Sequence, residues 1–149
     1  MIRAGCSRLI SDADFRPPGA AMDAPNKIRK ILLADDQAFS RLFVGKVLRQ
    51  TIDCTLIEAQ DGEEAVALCR DGDPDMVILD ISMPRMDGLQ ALAAIRALKP
   101  TTPVIMLTST AEEKVVEECV TLGASYFIRK DVPASELQVE LKEMLRLFS

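Results

Sequence analysis

The 149-residue sequence predicts one α/β domain, a doubly wound parallel sheet of five strands with helices on both faces. Three observations carry this. From Lys27 onward, short apolar runs alternate five times with stretches of helical periodicity. The runs are continuously apolar, which marks strands buried on both faces, as in parallel sheets. The acidic, hydroxyl and basic residues best suited to chemistry follow the ends of those runs, and in such a sheet that gathers them along one edge. Right-handed crossovers then make the doubly wound sandwich the simplest closed arrangement.

The elements follow in order. Ile31-Leu32-Leu33-Ala34, behind a charged flank, is β1, and residues 37–50 form α1 with Leu42, Phe43, Val47 and Leu48 expected inward. Thr55-Leu56-Ile57 is β2. Asp61-Gly62 opens α2, which turns Ala65, Val66 and Leu68 inward. Met76-Val77-Ile78-Leu79 is β3 and ends at Asp80. After a loop over residues 83–88, α3 carries Leu89, Leu92, Ile95 and Leu98. Val104-Ile105-Met106-Leu107 is β4, started by Pro103. Residues 112–122 form α4, with Val115, Val116 and Cys119 inward, and Gly123 stops it, as a glycine just past a helix does. Tyr126-Phe127-Ile128 is β5. Ser135-x-x-Gln138 reads as the capping box of α5, which buries Leu137, Leu141, Met144, Leu145 and Phe148.

Composition narrows the function. Apolar residues at 48% and charged residues at 28% describe an ordinary globular domain. The longest uncharged run, from Pro100 to Ala111, has 12 residues and two prolines, too short to span a membrane. Residues 1–26 show no periodicity and carry Pro17-Pro18-Gly19 and Pro25; they read as a flexible tail, with Met22 a candidate true start. No apolar stretch there resembles a signal peptide. Cys6, Cys54, Cys69 and Cys119 form no C-x-x-C pair, so reduced thiols in a cytoplasmic protein are expected. Three Arg balance three Asp in residues 1–26, so the net charge of −5 sits in residues 27–149, the folded domain. A domain so charged is a poor partner for a nucleic-acid backbone. The absence of histidine excludes Ser-His-Asp chemistry, His-ligated metal and phosphohistidine donation by this chain.

At the predicted edge, Asp35-Asp36 follow β1, Asp80 ends β3, Thr108 ends β4 and Lys130 follows β5. Two carboxylates about 4 Å apart repel by roughly 4 kcal/mol at an effective dielectric near 20, so three together call for a cation. Mg²⁺ suits an all-oxygen site and bridges carboxylate to phosphate. Asp80, projecting alone from the central strand, is the natural carboxylate nucleophile, and Lys130 a mobile charge for a phosphoryl oxygen. An Asp-Asp pair alone could equally be a helix cap. The ordered set at successive strand ends is much harder to explain that way.

The sequence resembles the receiver domain of bacterial two-component response regulators over residues 30–148. The resemblance lies in Ile31-Leu32-Leu33-Ala34-Asp35-Asp36, in Ala59-Gln60-Asp61-Gly62-Glu63-Glu64-Ala65, and in Asp80-Ile81-Ser82-Met83-Pro84-Arg85-Met86-Asp87-Gly88. Thr108-Ser109, Gly123-Ala124 and Lys130 complete it. It implies strand order 2-1-3-4-5, the flavodoxin-like or CheY-like arrangement. It also implies phosphorylation at Asp80, taken from a histidine kinase or phosphotransfer protein. Mg²⁺ would be held by Asp36, Asp80 and the Ser82 backbone carbonyl, with Asp35 helping partly through water. Thr108 and Lys130 would contact the phosphoryl group. Phe127 would be the aromatic that turns inward on activation, with Tyr126 on the other strand face. The implied output surface is the β4-α4-β5-α5 face, where Glu112, Glu113, Glu117 and Glu118 suit a partner with a basic patch.

Three departures from the family pattern stand out. Asp131 replaces the proline that often follows the lysine, so a trans Lys130–Asp131 bond is expected. Ser82 and Thr110, at positions that tune phosphoryl lifetime, are small and non-acidic. The chain stops where α5 should end, which leads us to expect a stand-alone receiver that signals by contact and is not an enzyme beyond its own phosphorylation and dephosphorylation. Two alternatives compete. One is a phosphorylation-independent adaptor with a receiver fold. The other is an aspartyl-phosphate hydrolase of the haloacid-dehalogenase type, which Ser82 argues against because that chemistry needs an acid there.

Overall fold

The computed structural model of the protein describes residues 8–9, 28–109 and 112–148. Most of the expected tail, Met22, Cys6 and Thr110 lie outside the described residues. The elements are β1 (Lys30–Ala34), α1 (Ala38–Thr51), β2 (Thr55–Ala59), α2 (Gly62–Gly72), β3 (Met76–Asp80), α3 (Gly88–Leu98), β4 (Val104–Thr108), α4 (Glu113–Leu122), β5 (Tyr126–Arg129) and α5 (Ala134–Phe148). The five strands are parallel in the order β2-β1-β3-β4-β5. A two-residue strand, Arg8–Leu9, pairs antiparallel with the outer edge of β5, Arg8 opposite Phe127 and Leu9 opposite Tyr126. Pairing of this kind covers backbone groups that an open edge strand presents to other chains.

Strand periodicity divides each apolar run between two cores. Ile31, Leu33, Ile78, Ile105, Leu107, Tyr126 and Ile128 face one side and meet Val44, Val47 and Leu48 of α1 with Leu137, Leu141, Met144 and Phe148 of α5. Leu32, Ala34, Val77, Leu79, Val104, Met106 and Phe127 face the other, against Ala65 and Cys69 of α2, Ala91, Leu92 and Ile95 of α3 and Cys119 of α4. Full burial of each Leu or Ile contributes about 1.5–3 kcal/mol, so the sheet's two faces are the main source of cohesion.

Three details differ from expectation. Leu42 of α1 is 72% exposed rather than inward. The buried stripe runs through Val44, Val47 and Leu48, and Leu42 lies two residues from Val44, about 200° around the helix. Leu98, at the end of α3, is likewise exposed. Ser135 is not the cap of α5: the helix starts one residue earlier, and the Pro133 carbonyl accepts the Leu137 N–H at 3.0 Å. Proline fixes φ at the residue just before the helix. Cys54 immediately precedes β2 and, with Cys69 and Cys119, is a free thiol. Gly123 ends α4 in the left-handed region at φ 98°. The Lys130–Asp131 bond is trans, as are the others among the described residues. No described helix is long and apolar enough to cross a membrane.

Candidate functional site

The site forms at the C-terminal edge of the sheet because the register brings its strand ends level. Asp80 pairs with Leu107 across β3 and β4, and Thr108 with Arg129 across β4 and β5. Asp35 follows β1, the neighbour of β3 on its other side. The ligand-capable oxygens of Asp35, Asp36 and Asp80 all lie within 4.8 Å of one another. Asp35 and Asp80 are buried, whereas Asp36 is exposed.

Lys130 closes the group. Its Nζ donates to Asp35 Oδ2 at 2.9 Å and to Asp80 Oδ2 at 3.2 Å, and its backbone N–H donates to the Thr108 carbonyl at 2.7 Å. Asp35 is held from the other side by the Gln37 N–H, at 2.9 Å to Oδ1, and by a hydrogen bond with the Ser40 side chain. Thr108 is buried at the end of β4, and Ser82 sits exposed two residues past Asp80.

These contacts set the charges. Burial pushes the Asp80 carboxyl up to about 6; Lys130 opposes the rise and the Asp35 charge adds to it. Burial also raises Asp35, but the Ser40, Gln37 and Lys130 hydrogen bonds outweigh it and hold that carboxyl below its ordinary value. Lys130 is disfavoured by burial, yet the hydrogen bond to Asp35 and both carboxylate charges keep its pKa above the usual value. Three carboxylates with one ammonium lack two positive charges, a deficit that matches a divalent cation. With donors that are all oxygen, Mg²⁺ fits the set.

The loop after β3 is built around Gly88. A Cβ there would stand 2.2 Å from the Asp80 carbonyl oxygen, and the Gly88 N–H donates to the Ile81 carbonyl at 2.8 Å. Asp87 caps α3 through a full capping box with Gln90. Arg85 holds φ 67° and pairs with Asp61, the N-cap of α2, at 3.5 Å. The loop after β3 is therefore tied to two helix starts.

Phe127 is buried on the α2–α4 side, while Tyr126 points to the other core and meets Phe148 edge to face at 6.2 Å. A cleft of about 440 Å³ opens over Asp36, Asp80, Ser82, Ser109 and Lys130, with one wall of Phe39, Phe43, Val132 and Leu137. That apolar wall, and Ser40 beneath it, were not foreseen. Ser40 is the third residue of α1, and a hydroxyl one turn past an acidic pair was the available signal. Phe39 is 83% exposed, so burial patterning gave it no role to detect.

A doubly wound sheet with three carboxylates and one lysine gathered at its strand ends defines a class of α/β domain whose edge pocket suits a divalent cation. Residues 31–142 match the response regulator receiver domain, and the chain belongs to that family of two-component signalling domains, which are not classical enzymes. It is 36% identical to the chemotaxis protein CheY of Listeria monocytogenes over 114 residues, 76% of this chain and 96% of that protein. CheY of Bacillus subtilis is 31% identical, covering 78% and 97%. The response regulator domain of Thermotoga maritima CheB superposes with TM-score 0.74 at 31% identity, covering 82% and 96%. CheY of Borrelia burgdorferi, solved as a complex with CheX, BeF₃ and Mg²⁺, gives TM-score 0.68 at 28% identity, covering 78% and 88%.

Proposed function

We propose that this chain is a Mg²⁺-dependent phosphoryl acceptor whose acceptor atom is an Asp80 carboxylate oxygen. The observation that carries the reading is the position of Asp80, at the end of the central strand and within reach of both the Asp35–Asp36 pair and the Lys130 ammonium. Asp80 attacks the phosphorus of a phosphohistidine or a small acyl phosphate. A new O–P bond forms, the old P–N or P–O bond breaks, and the leaving group keeps the electron pair. Asp35, Asp36, Asp80 and the Ser82 carbonyl would hold Mg²⁺, which supplies the missing positive charge beside the incoming phosphoryl oxygens. Lys130 neutralises a further oxygen and Thr108 offers a hydroxyl to it. Phe127 is the aromatic that reports the change to the β4-α4-β5-α5 face.

The donor is a histidine kinase or phosphotransfer protein, in a cytoplasmic setting, with residues 27–149 as the phosphoryl-accepting domain. Output passes by contact. At the start and along α4, Glu112, Glu113, Glu117 and Glu118 are all exposed, which favours a partner with a basic patch, whose binding weakens as salt rises. The Borrelia complex supports this reading by analogy, since that CheY engages another protein with BeF₃ and Mg²⁺ bound.

The test is intact-mass measurement after incubation with acetyl phosphate and Mg²⁺. Wild type gains one phosphoryl group, and Asp80→Asn gains none. No labelling of wild type would sink the reading. Partner capture indifferent to Asp80→Asn would instead support the phosphorylation-independent adaptor.

A further inference from the structure

Lys130 reaches the two buried carboxylates from the first position beyond β5, where the chain leaves the sheet. The residues on either side of it join across it. Arg129 Nε donates to Asp131 Oδ1 at 2.8 Å, and Arg129 Nη2 donates to Asp131 Oδ2. A guanidinium holding both oxygens of one carboxylate is the most directional form of ion pair. A link between residues two apart narrows the backbone conformations open to the residue between them. The fork thus ties the backbone on one side of Lys130 to the backbone on the other, while the Lys130 ammonium lies on Asp35 and Asp80.

We infer that the Arg129–Asp131 fork positions Lys130, fixing the direction of its ammonium toward the acceptor carboxylate. At position 131 the sequence lacks the ring constraint a proline would bring, and the fork supplies a constraint in its place. Its effect is local. Both side chains are about a third exposed, 31% and 34%, too open for the pair to add much to global stability. What it limits is the freedom of a long, flexible lysine, and a charge placed in advance is worth more to phosphoryl transfer than one that must be found. Arg129 and Asp131 are positioning residues: neither is required to touch the phosphoryl group.

The inference rests on the phosphoryl-acceptor reading for its kinetic readout. The full chain is labelled with acetyl phosphate and Mg²⁺ and followed by intact mass. Asp131→Ala and Arg129→Ala each lower the maximal rate roughly 5-fold or more, while the Mg²⁺ concentration for half effect and the urea midpoint stay nearly unchanged. The exchanged pair Arg129→Asp/Asp131→Arg, which rebuilds the fork in reverse, recovers most of the rate. Alanine variants that label at the wild-type rate, or an exchanged pair as slow as the singles, overturn the inference. If wild type does not label, the acceptor reading falls instead. The fork is then decided by amide hydrogen exchange at Lys130 and Asp131, which must quicken in both alanine variants and slow again in the exchanged pair. Unchanged exchange in the alanine variants overturns it.

Discussion

Replacing Asp80 with Asn should stabilise the metal-free protein, although it removes the proposed acceptor. The Asp80 carboxyl titrates at about 6 in the folded chain against 3.8 for an ordinary aspartate, because it is buried beside the Asp35 charge. A raised folded pKa means that the group's contribution is fully present below the unfolded value and is lost as pH rises through about 6. At about pH 8 the loss is complete, and at ~1.4 kcal/mol per pH unit it amounts to about 3 kcal/mol. Near pH 5 roughly half of it has developed. Asn keeps the shape without the charge. Urea unfolding followed by far-ultraviolet circular dichroism, in EDTA, should therefore show Asp80→Asn more stable than wild type by about 1–3 kcal/mol near pH 8. The gap should shrink near pH 5, and saturating Mg²⁺ should reverse it, since wild type offers the cation one more carboxylate. An Asn variant no more stable than wild type near pH 8 in EDTA would refute the reasoning. So would a gap indifferent to pH.

Other perturbations test the surrounding frame. Gly88→Ala puts a methyl group 2.2 Å from the Asp80 carbonyl oxygen, so the loop must move; a loss of about 2 kcal/mol or more in urea unfolding, with slowed labelling, is expected. Arg85→Asn relieves a left-handed residue at φ 67° and gives up a long ion pair at 3.5 Å whose Arg85 end is exposed, while the buried Asp61 carboxylate keeps the Glu64 N–H as partner. It should raise the melting temperature, with a gain of about 0.5–1 kcal/mol, and a lower melting temperature would contradict that balance. Arg96→Ala removes the guanidinium that donates to the Lys99, Thr102 and Gly123 carbonyls. Those carbonyls end α3, precede β4 and end α4, so unfolding free energy should fall by about 2–4 kcal/mol. Arg96→Lys should recover only part of it, because one ammonium cannot span all three.

The residues that were legible in the sequence share one property: their position follows from local order along the chain. Asp35, Asp80, Thr108 and Lys130 each sit at or just past a strand end, and a parallel sheet sends all such ends to one edge. Residues whose role depends on rotation or on a distant neighbour were not legible. Leu42 and Val44 are both apolar, and only the docking of α1 on Ile31 and Leu33 selects Val44 for the core. Nothing near Arg8–Leu9 announces that β5 lies beside it, because that pairing closes across more than a hundred residues. Local order likewise could not rank Asp35 against Asp36, two identical side chains in succession; only the family resemblance set Asp36 nearer the metal.

That last distinction bears on how the site works. Asp35 is fully enclosed, tied to Gln37, Ser40 and Lys130, and stays ionised as a fixed part of the frame. Asp36, on the rim and facing the cleft, can meet an arriving cation without breaking that frame. The two adjacent carboxylates thus divide their labour by burial. Asp35→Asn should cost folding stability as well as Mg²⁺ affinity, because it removes a charge that Lys130 needs inside the protein, by about 3 kcal/mol or more. Asp36→Asn should weaken Mg²⁺ binding with the urea midpoint in EDTA almost unmoved. Equal destabilisation by the two variants in EDTA would contradict this division, and a Mg²⁺ titration of the unfolding midpoint reads both effects in one experiment.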